Sequence, residues 1–229
     1  MTPEEFINEF DSLLQVHLLK PDFGNVDIKG FDEYEKSIFL TKAQEETVIE
    51  IYRGSSPLLE GFENTEETRK YLAPLVSTIV LTDKKQETGL SPKSVFFTLP
   101  EDTWFITYES VIFSDENAGC HNGEEILVTP VTQDEFYRIK ENPFRGPSFR
   151  RALRLDIRNG EAEIVSEYAI SGYKIRYVAK PHPIILTDLP DGLSINNETK
   201  KHGCDLNEAL HRPVLERAVR MAIMSKVQK

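Results

Sequence analysis

The chain has 229 residues, of which 39% are hydrophobic and 28% are charged, and its 38 acidic and 27 basic residues give a net charge of −11. This composition is typical of a soluble globular protein with a sizeable core. The acidic excess disfavours a protein that wraps DNA or lies on anionic lipid, because both need surplus cations. The acidic amino terminus lacks the basic and apolar regions of a secretory signal, and no apolar run approaches the roughly 18 residues of a membrane span.

The first 75 residues are predicted to be helical. A capping box over residues 2–5 opens a first helix, whose apolar residues recur at helical spacing until Pro21. A second helix is predicted over residues 32–52 and ends at Gly54, which follows a basic last turn. A short third helix is predicted over residues 65–73.

Residues 76–188 are predicted to form a β-rich core, because β-branched and aromatic runs alternate with turn residues. The strand over residues 103–113 carries bulky side chains on both faces and is expected to be central. A capping box at Thr132 predicts one short helix that ends before Asn142. The predicted strands cover residues 77–82, 94–99, 103–113, 125–129, 173–178 and 183–186.

An alternating apolar and polar run that ends at Asn159-Gly160 predicts a hairpin with a type I′ turn. A two-residue loop would place Arg158 opposite Glu161, which is a favourable pair. The same register would place Asp156 opposite Glu163, which is an unfavourable pair.

A carboxy-terminal helix is predicted over residues 206–226, with Asp205 and Glu208 as a cap pair. Because Pro213 removes one amide from the helical hydrogen bonds, the regular helix is expected to begin only near Arg212.

The predicted fold is therefore α+β. It has N-terminal helices, a mainly antiparallel β-sheet or small barrel in the middle, and a C-terminal helix. Residues 1–75, 76–188 and 189–229 are expected to form one integrated domain.

The sequence holds no phosphate-binding loop, dinucleotide-binding glycine motif or serine-hydrolase elbow. The best candidate metal site combines two thiols with two imidazoles, a set that zinc accepts: Cys120, His121, His202 and Cys204. Adjacent Cys and His side chains seldom reach one ion, so two free thiols beside histidines is the preferred interpretation. We expect no catalytic residue, no cofactor and no metal.

Charge is segregated along the chain. Residues 1–70 hold 16 acidic and 7 basic residues, whereas residues 133–180 hold 7 acidic and 10 basic ones, and residues 211–229 hold 1 acidic and 5 basic ones. The basic stretch from Arg145 to Arg158 interleaves arginines with phenylalanines, so it could be a nucleic-acid patch or the outer face of a hairpin. The favoured interpretation is that oppositely charged surfaces of identical subunits meet head to tail in a ring.

Several segments resemble virion structural proteins of crAss-like bacteriophages. Residues 34–45 resemble a helix common in these proteins, and residues 204–219 resemble their C-terminal helix. Residues 142–145 with the alternating strand that follows, and residues 177–189 with their prolines and paired isoleucines, are similar to the same proteins. The chain thus resembles the head–tail connector ring proteins of these phages.

The resemblance implies a non-enzymatic structural protein of the virion, synthesised in the host bacterial cytoplasm. It implies a multi-copy ring, dodecameric by analogy with portals, in the portal-to-tail connector. Its partners would be copies of itself, the portal protein and other connector or tail proteins, with no membrane. DNA would pass through the lumen without sequence-specific binding.

Six arginines are the candidate subunit contacts, as charged partners of the acidic N-terminal helices: Arg145, Arg150, Arg151, Arg212, Arg217 and Arg220. Two alternatives stay open at this point. One is a metal-binding protein or enzyme that uses Cys120, His121, His202 and Cys204. The other is a DNA-contacting adaptor that uses the stretch from Arg145 to Arg158.

Overall fold

The computed structural model describes residues 1–18, 30–54, 66, 70–155 and 160–227. The chain divides into two compact units. The helical unit comprises Met1–Leu75 and Lys180–Lys229, and the sheet unit comprises Val76–Ala179. None of the helices in the described part of the chain is long and apolar enough to cross a bilayer.

The fold is α+β, as predicted. The α-helices are α1 (Pro3–Leu18), α2 (Glu33–Arg53), α3 (Gln133–Lys140) and α4 (Glu208–Val227). The described residues also contain eight strands: β1 (Val76–Leu81), β2 (Lys84–Lys85), β3 (Ser94–Thr98), β4 (Thr103–Phe113), β5 (Glu125–Pro130), β6 (Arg151–Arg154), β7 (Glu161–Val165) and β8 (Ile170–Ala179).

Helix α1 begins at the predicted capping box. The amide of Thr2 donates to the Glu5 carboxylate, and the amide of Glu5 donates to the Thr2 hydroxyl. Phe6, Phe10 and Leu14 lie on one face and are buried. Local sequence signals therefore position this helix correctly.

Helix α2 also has a capping box, formed by Asp32 and Glu35, and it ends at Gly54, which has a φ of +68°. This left-handed conformation favours glycine, as the predicted helix end requires. Of the predicted third helix, residues 70–72 are helical and lead into a 3₁₀ turn at Ala73–Leu75. Residue 66 is helical as well, whereas residues 65 and 67–69 lie outside the described part of the chain.

The predicted strand over residues 183–186 is wrong, because this segment is irregular and pairs only through an isolated bridge between Ile185 and His202. Its backbone bonds instead to side chains of α2. The Thr41 hydroxyl accepts from the Ile184 amide at 3.1 Å and donates to the Ile184 carbonyl at 3.3 Å. The Ser37 hydroxyl accepts from the Leu186 amide at 3.1 Å. Hydrogen bonds to side chains of α2 thus take the place of the backbone pairing with a neighbouring strand that the apolar run predicted.

Helix α4 begins at Glu208, four residues before the predicted start of the regular helix. The predicted Asp205 cap is also wrong, because Asn207 caps this end by accepting from the Ala209 amide at 3.1 Å. Pro213 lies inside the helix. Because proline has no amide hydrogen, it cannot donate the usual helical bond to the carbonyl of Ala209, which is an exposed residue.

The sheet is mixed and mainly antiparallel, in the order β1-β8-β4-β5-β6-β7-β3-β2. Only the β5–β6 pair is parallel among the described strands. Strand β4 lies between β8 and β5 and has the predicted bounds, so the prediction of a central strand is confirmed.

The β6–β7 hairpin is present, but its register differs by one residue from the prediction. Leu153 pairs with Val165, and the Leu155 amide donates to the Glu163 carbonyl. This register keeps Leu153, Leu155 and Val165 in one small core with Phe136 of α3. Residues that lie directly opposite each other on neighbouring strands share a face of the sheet. The adopted register is therefore the one that buries these apolar side chains together. The predicted Arg158–Glu161 and Asp156–Glu163 pairs involve residues 156–159, which lie outside the described part of the chain.

The interior of the sheet unit contains a charged network. The Glu109 carboxylate on β4 accepts from Arg154 Nε at 2.7 Å and from the Tyr173 hydroxyl at 2.6 Å. The side chains of Glu109 and Arg154 are 7% and 13% exposed. Burial, together with the Glu109 charge, raises the pKa of the Tyr173 hydroxyl, which therefore stays protonated.

Candidate functional site

The sheet unit presents a tightly fixed loop between α3 and β6, which we call the Phe144 loop (residues 141–150). The Asn142 side chain accepts from the amides of Phe144 and Arg145, at 2.9 and 3.2 Å. The Gly146 amide donates to the Asn142 carbonyl at 2.7 Å. A Cβ on Gly146 would lie 2.7 Å from the Lys140 carbonyl oxygen, which is closer than real Cβ contacts allow. Backbone packing thus sets the shape of this loop.

The loop holds aromatic and cationic side chains in solvent. Phe144 is 87% exposed. Phe149 stacks on the His121 ring, with 4.8 Å between centroids, and the Arg150 guanidinium lies 5.0 Å from the Phe149 centroid. Arg145 and Arg150 are exposed. This combination of a bare aromatic ring and nearby guanidinium groups is typical of protein contact sites.

The other arginines of the basic stretch have roles within the fold. Arg151, on β6, donates from Nη1 to the Phe144 carbonyl at 2.8 Å and thereby supports the loop. Arg154 is mostly buried and is paired with Glu109. Arg158 lies outside the described residues. The stretch from Arg145 to Arg158 is therefore not a continuous exposed basic surface.

The three candidate arginines of α4 differ in their surroundings. Arg217 is half-buried and hydrogen bonds to Glu50 of α2. Arg212 is exposed and lies 3.4 Å from the Glu216 carboxylate, one helical turn away. Arg220 is exposed and forms no ion pair with a described residue. The acidic partner of Arg217 thus belongs to the same chain, and its predicted role between subunits stays a prediction.

The four residues of the candidate metal set are divided between the two units. Cys120 and His121 belong to the sheet unit, where His121 Nδ1 lies 2.7 Å from the Glu124 carboxylate. His202 and Cys204 belong to the helical unit. Burial raises the pKa of the Cys204 thiol to about 11, so it is protonated at neutral pH and a poor metal ligand.

His202 instead joins two residues that the sequence analysis did not select as ligands. The Asp205 carboxylate bonds to His202 Nε2 at 2.8 Å through one oxygen and to His182 Nδ1 at 2.9 Å through the other. We call these three residues the His–Asp–His cluster. Burial on its own raises the pKa of Asp205, but the hydrogen bonds from both histidines outweigh it and hold that pKa below its ordinary value. The spacing of His202 and Asp205 is a weak local signal, whereas His182 is 20 residues away.

The family is decided by comparison with known proteins. The family described as phage tail ring protein 3/4 matches residues 1–229. The chain belongs to this family. Ring protein 3 of Bacteroides phage crAss001 is 50% identical over 230 residues, which cover 100% of this chain and 97% of that protein. Ring protein 4/5 of the same phage is 29% identical over 236 residues, which cover 97% of this chain and 92% of that protein.

The resemblance to crAss-like phage ring proteins is thereby confirmed, and the chain is a structural ring protein of the virion. The matches extend over both units, so both are part of the family's common sequence. No comparison tests the six candidate contact arginines, which stay a prediction.

Proposed function

We propose that this chain forms a multi-copy ring in the portal-to-tail connector, and that DNA passes through the lumen of this ring. The observation that carries the proposal is the 50% identity to a ring protein over the full chain. The proposed neighbours are copies of the chain itself, twelve by analogy with portals, together with the portal protein and other connector or tail proteins.

The Phe144 loop is the proposed centre of the contact between neighbouring copies. A ring needs head-to-tail contacts, in which one surface of each subunit meets a different surface of the next. A fixed and exposed phenylalanine contributes apolar area at little entropic cost, because its backbone is already ordered. Arg145 and Arg150 beside it, and Arg212 and Arg220 on α4, would meet acidic groups of the next copy.

The proposed passage of DNA is supported by the charge of the chain. A net charge of −11 disfavours strong phosphate binding, so DNA could move along such a ring without being held. The alternative of a DNA-contacting adaptor makes the opposite prediction, namely a DNA affinity that falls steeply with salt.

A reconstruction of the virion tests the proposal directly. We expect twelve copies of the chain around the portal-to-tail axis, with Phe144 buried between copies. Absence of the chain from the virion, or its location outside the connector, would overturn the proposal.

A variant pair tests the contact surface. Phe144→Ala should reduce self-association of the purified protein, measured by sedimentation at high concentration with portal protein present. Leu127→Ala removes a similarly sized side chain that is 53% exposed on β5, and it should leave self-association unchanged. Equal association of both variants and the parent would exclude the Phe144 loop as the contact.

A further inference from the structure

We infer that the His–Asp–His cluster binds a divalent transition-metal ion, and that zinc is the best fit. Each of its three residues offers one ligand atom, and these atoms all lie within 4.8 Å of one another. Two imidazoles and one carboxylate are ligands that zinc accepts in proteins. Magnesium and calcium prefer oxygen ligands, so a site with two nitrogen ligands selects against them.

The ligand atoms are held in place by the backbone. The His182 amide donates to Asp205 Oδ2 at 2.9 Å, and Gln44 Nε2 donates to the His182 carbonyl at 2.8 Å. His202 and Ile185 exchange two backbone hydrogen bonds, each of 3.0 Å. These bonds join the two segments that supply the ligands. Because the segments are already ordered, ion binding costs little conformational entropy.

The cluster is open to solvent. The His182 side chain is 61% exposed, whereas those of His202 and Asp205 are 38% and 25% exposed. An ion can therefore reach the ligands without unfolding the unit. Three protein ligands leave one position of a tetrahedral zinc ion for water.

Binding needs a rearrangement of protons but no other reactant. Each ligating nitrogen must present a lone pair, so a hydrogen that it shares with Asp205 passes to the other nitrogen of the ring or to solvent when the ion binds. The carboxylate then accepts the ion in place of the two N–H groups.

Metal binding to the full-length chain tests the inference. The chelator-treated protein is titrated with Zn²⁺, followed by calorimetry, and with Co²⁺, followed by visible absorption. We expect one ion per chain. Loss of even a group that only positions a metal ligand costs about 10- to 100-fold in affinity, so His182→Ala and His202→Ala should each lose at least that factor.

Two variants serve as matched controls. His121→Ala removes the histidine that faces Glu124 in the sheet unit, and Cys204→Ser removes the thiol next to Asp205. Both should retain the parent affinity. His182→Ala keeps the backbone amide that bonds to Asp205, and its exposed ring contributes little to folding. Absence of one-to-one binding, or binding that His182→Ala leaves unchanged, would overturn the inference.

Discussion

The sheet unit and the helical unit bury polar groups with different chemistry. In the sheet unit, one carboxylate, Glu109, faces a buried guanidinium and a buried hydroxyl. In the helical unit, neutral side chains of α2, Ser37 and Thr41, bond to the backbone of an irregular segment. Removing one member of a buried charged network exposes a charge to an apolar interior, whereas the neutral bonds each contribute a modest amount. Loss of Glu109 should therefore destabilise the sheet unit more than loss of the Ser37 or Thr41 hydroxyl destabilises the helical unit.

Each unit also contains one cysteine, and the largest expected difference between the units concerns these thiols. Burial raises the pKa of Cys204 to about 11, so only about one molecule in a thousand carries its thiolate at pH 8. Cys120 is exposed. We expect iodoacetamide at pH 8 to modify Cys120 at least about a hundredfold faster than Cys204, since the thiolate is the nucleophile. Peptide mass spectrometry of timed samples measures both rates.

The urea-unfolded chain is the control for this experiment, because both cysteines should then react at similar rates. Similar rates in the folded protein would show that Cys204 is not protected as the structure indicates.

The second largest effect is expected for Glu109→Ala in the sheet unit. The substitution removes the carboxylate that faces buried Arg154 and Tyr173, and it should lower the free energy of unfolding by about 3 kcal/mol. Urea unfolding measures this change. Glu124→Ala removes a carboxylate from the half-exposed pair with His121 and should cost at most about 0.5 kcal/mol. Equal costs for the two variants would contradict the buried role of Glu109.

In the helical unit, Thr41→Val should lower the free energy of unfolding by a smaller amount, about 1–3 kcal/mol. The substitution leaves the buried amide and carbonyl of Ile184 without their hydroxyl partner. The shape of the side chain is kept, so the loss reports on hydrogen bonding. Thr107→Val is the matched control, because the Thr107 hydroxyl bonds to the Arg176 carbonyl at an exposed position where water can replace it. A Thr41→Val variant as stable as the parent would show that these bonds do not hold the segment.

The smallest effect is a pH dependence in the helical unit. Burial lowers the pKa of His211, whose Nε2 bonds to the Leu206 carbonyl and whose Nδ1 lies 2.7 Å from the Met1 amine. The unfolded chain therefore binds a proton at higher pH than the folded chain does. The stability that neutral His211 contributes is present above a pH of about 6.5 and is lost as the pH falls from there to the lowered pKa.

Urea unfolding of the parent and of His211→Gln, at pH 7.5 and pH 5.5, measures this contribution. The stability advantage of the parent should shrink at pH 5.5. An advantage that grows on acidification would mean that the pKa of His211 is raised instead.

Local signals in the sequence predict much of the fold. The capping box at Thr2, the glycine end of α2 and the bounds of β4 depend on neighbouring residues, and the structure confirms all three. Thr132 precedes α3 as predicted, but the predicted capping box is wrong there, because the Thr132 side chain makes no capping hydrogen bond. The segment over residues 183–186 was wrongly predicted as a strand because its partners on α2 are more than 140 positions away. The hairpin register was wrong for a similar reason, since a small core with Phe136 decides it.

The candidate site was less predictable than the fold. Arg145 and Arg150 of the basic stretch are exposed, but no local pattern shows that Arg154 points to a buried glutamate. Likewise, His202 was selected with the wrong partners, because His182 reaches it only through the pairing of two irregular segments. Spacing along the chain predicts contacts within one element and fails across elements.

The construction of the Phe144 loop has a consequence for how ring proteins diverge. Asn142 and Gly146 set its backbone, and the Phe144 side chain leaves 87% of its surface outside the fold. In the proposed contact, a different side chain at position 144 would change which surface of the next copy the subunit meets and would leave folding almost unaffected. Such a position would let mutation alter the choice of neighbour separately from stability.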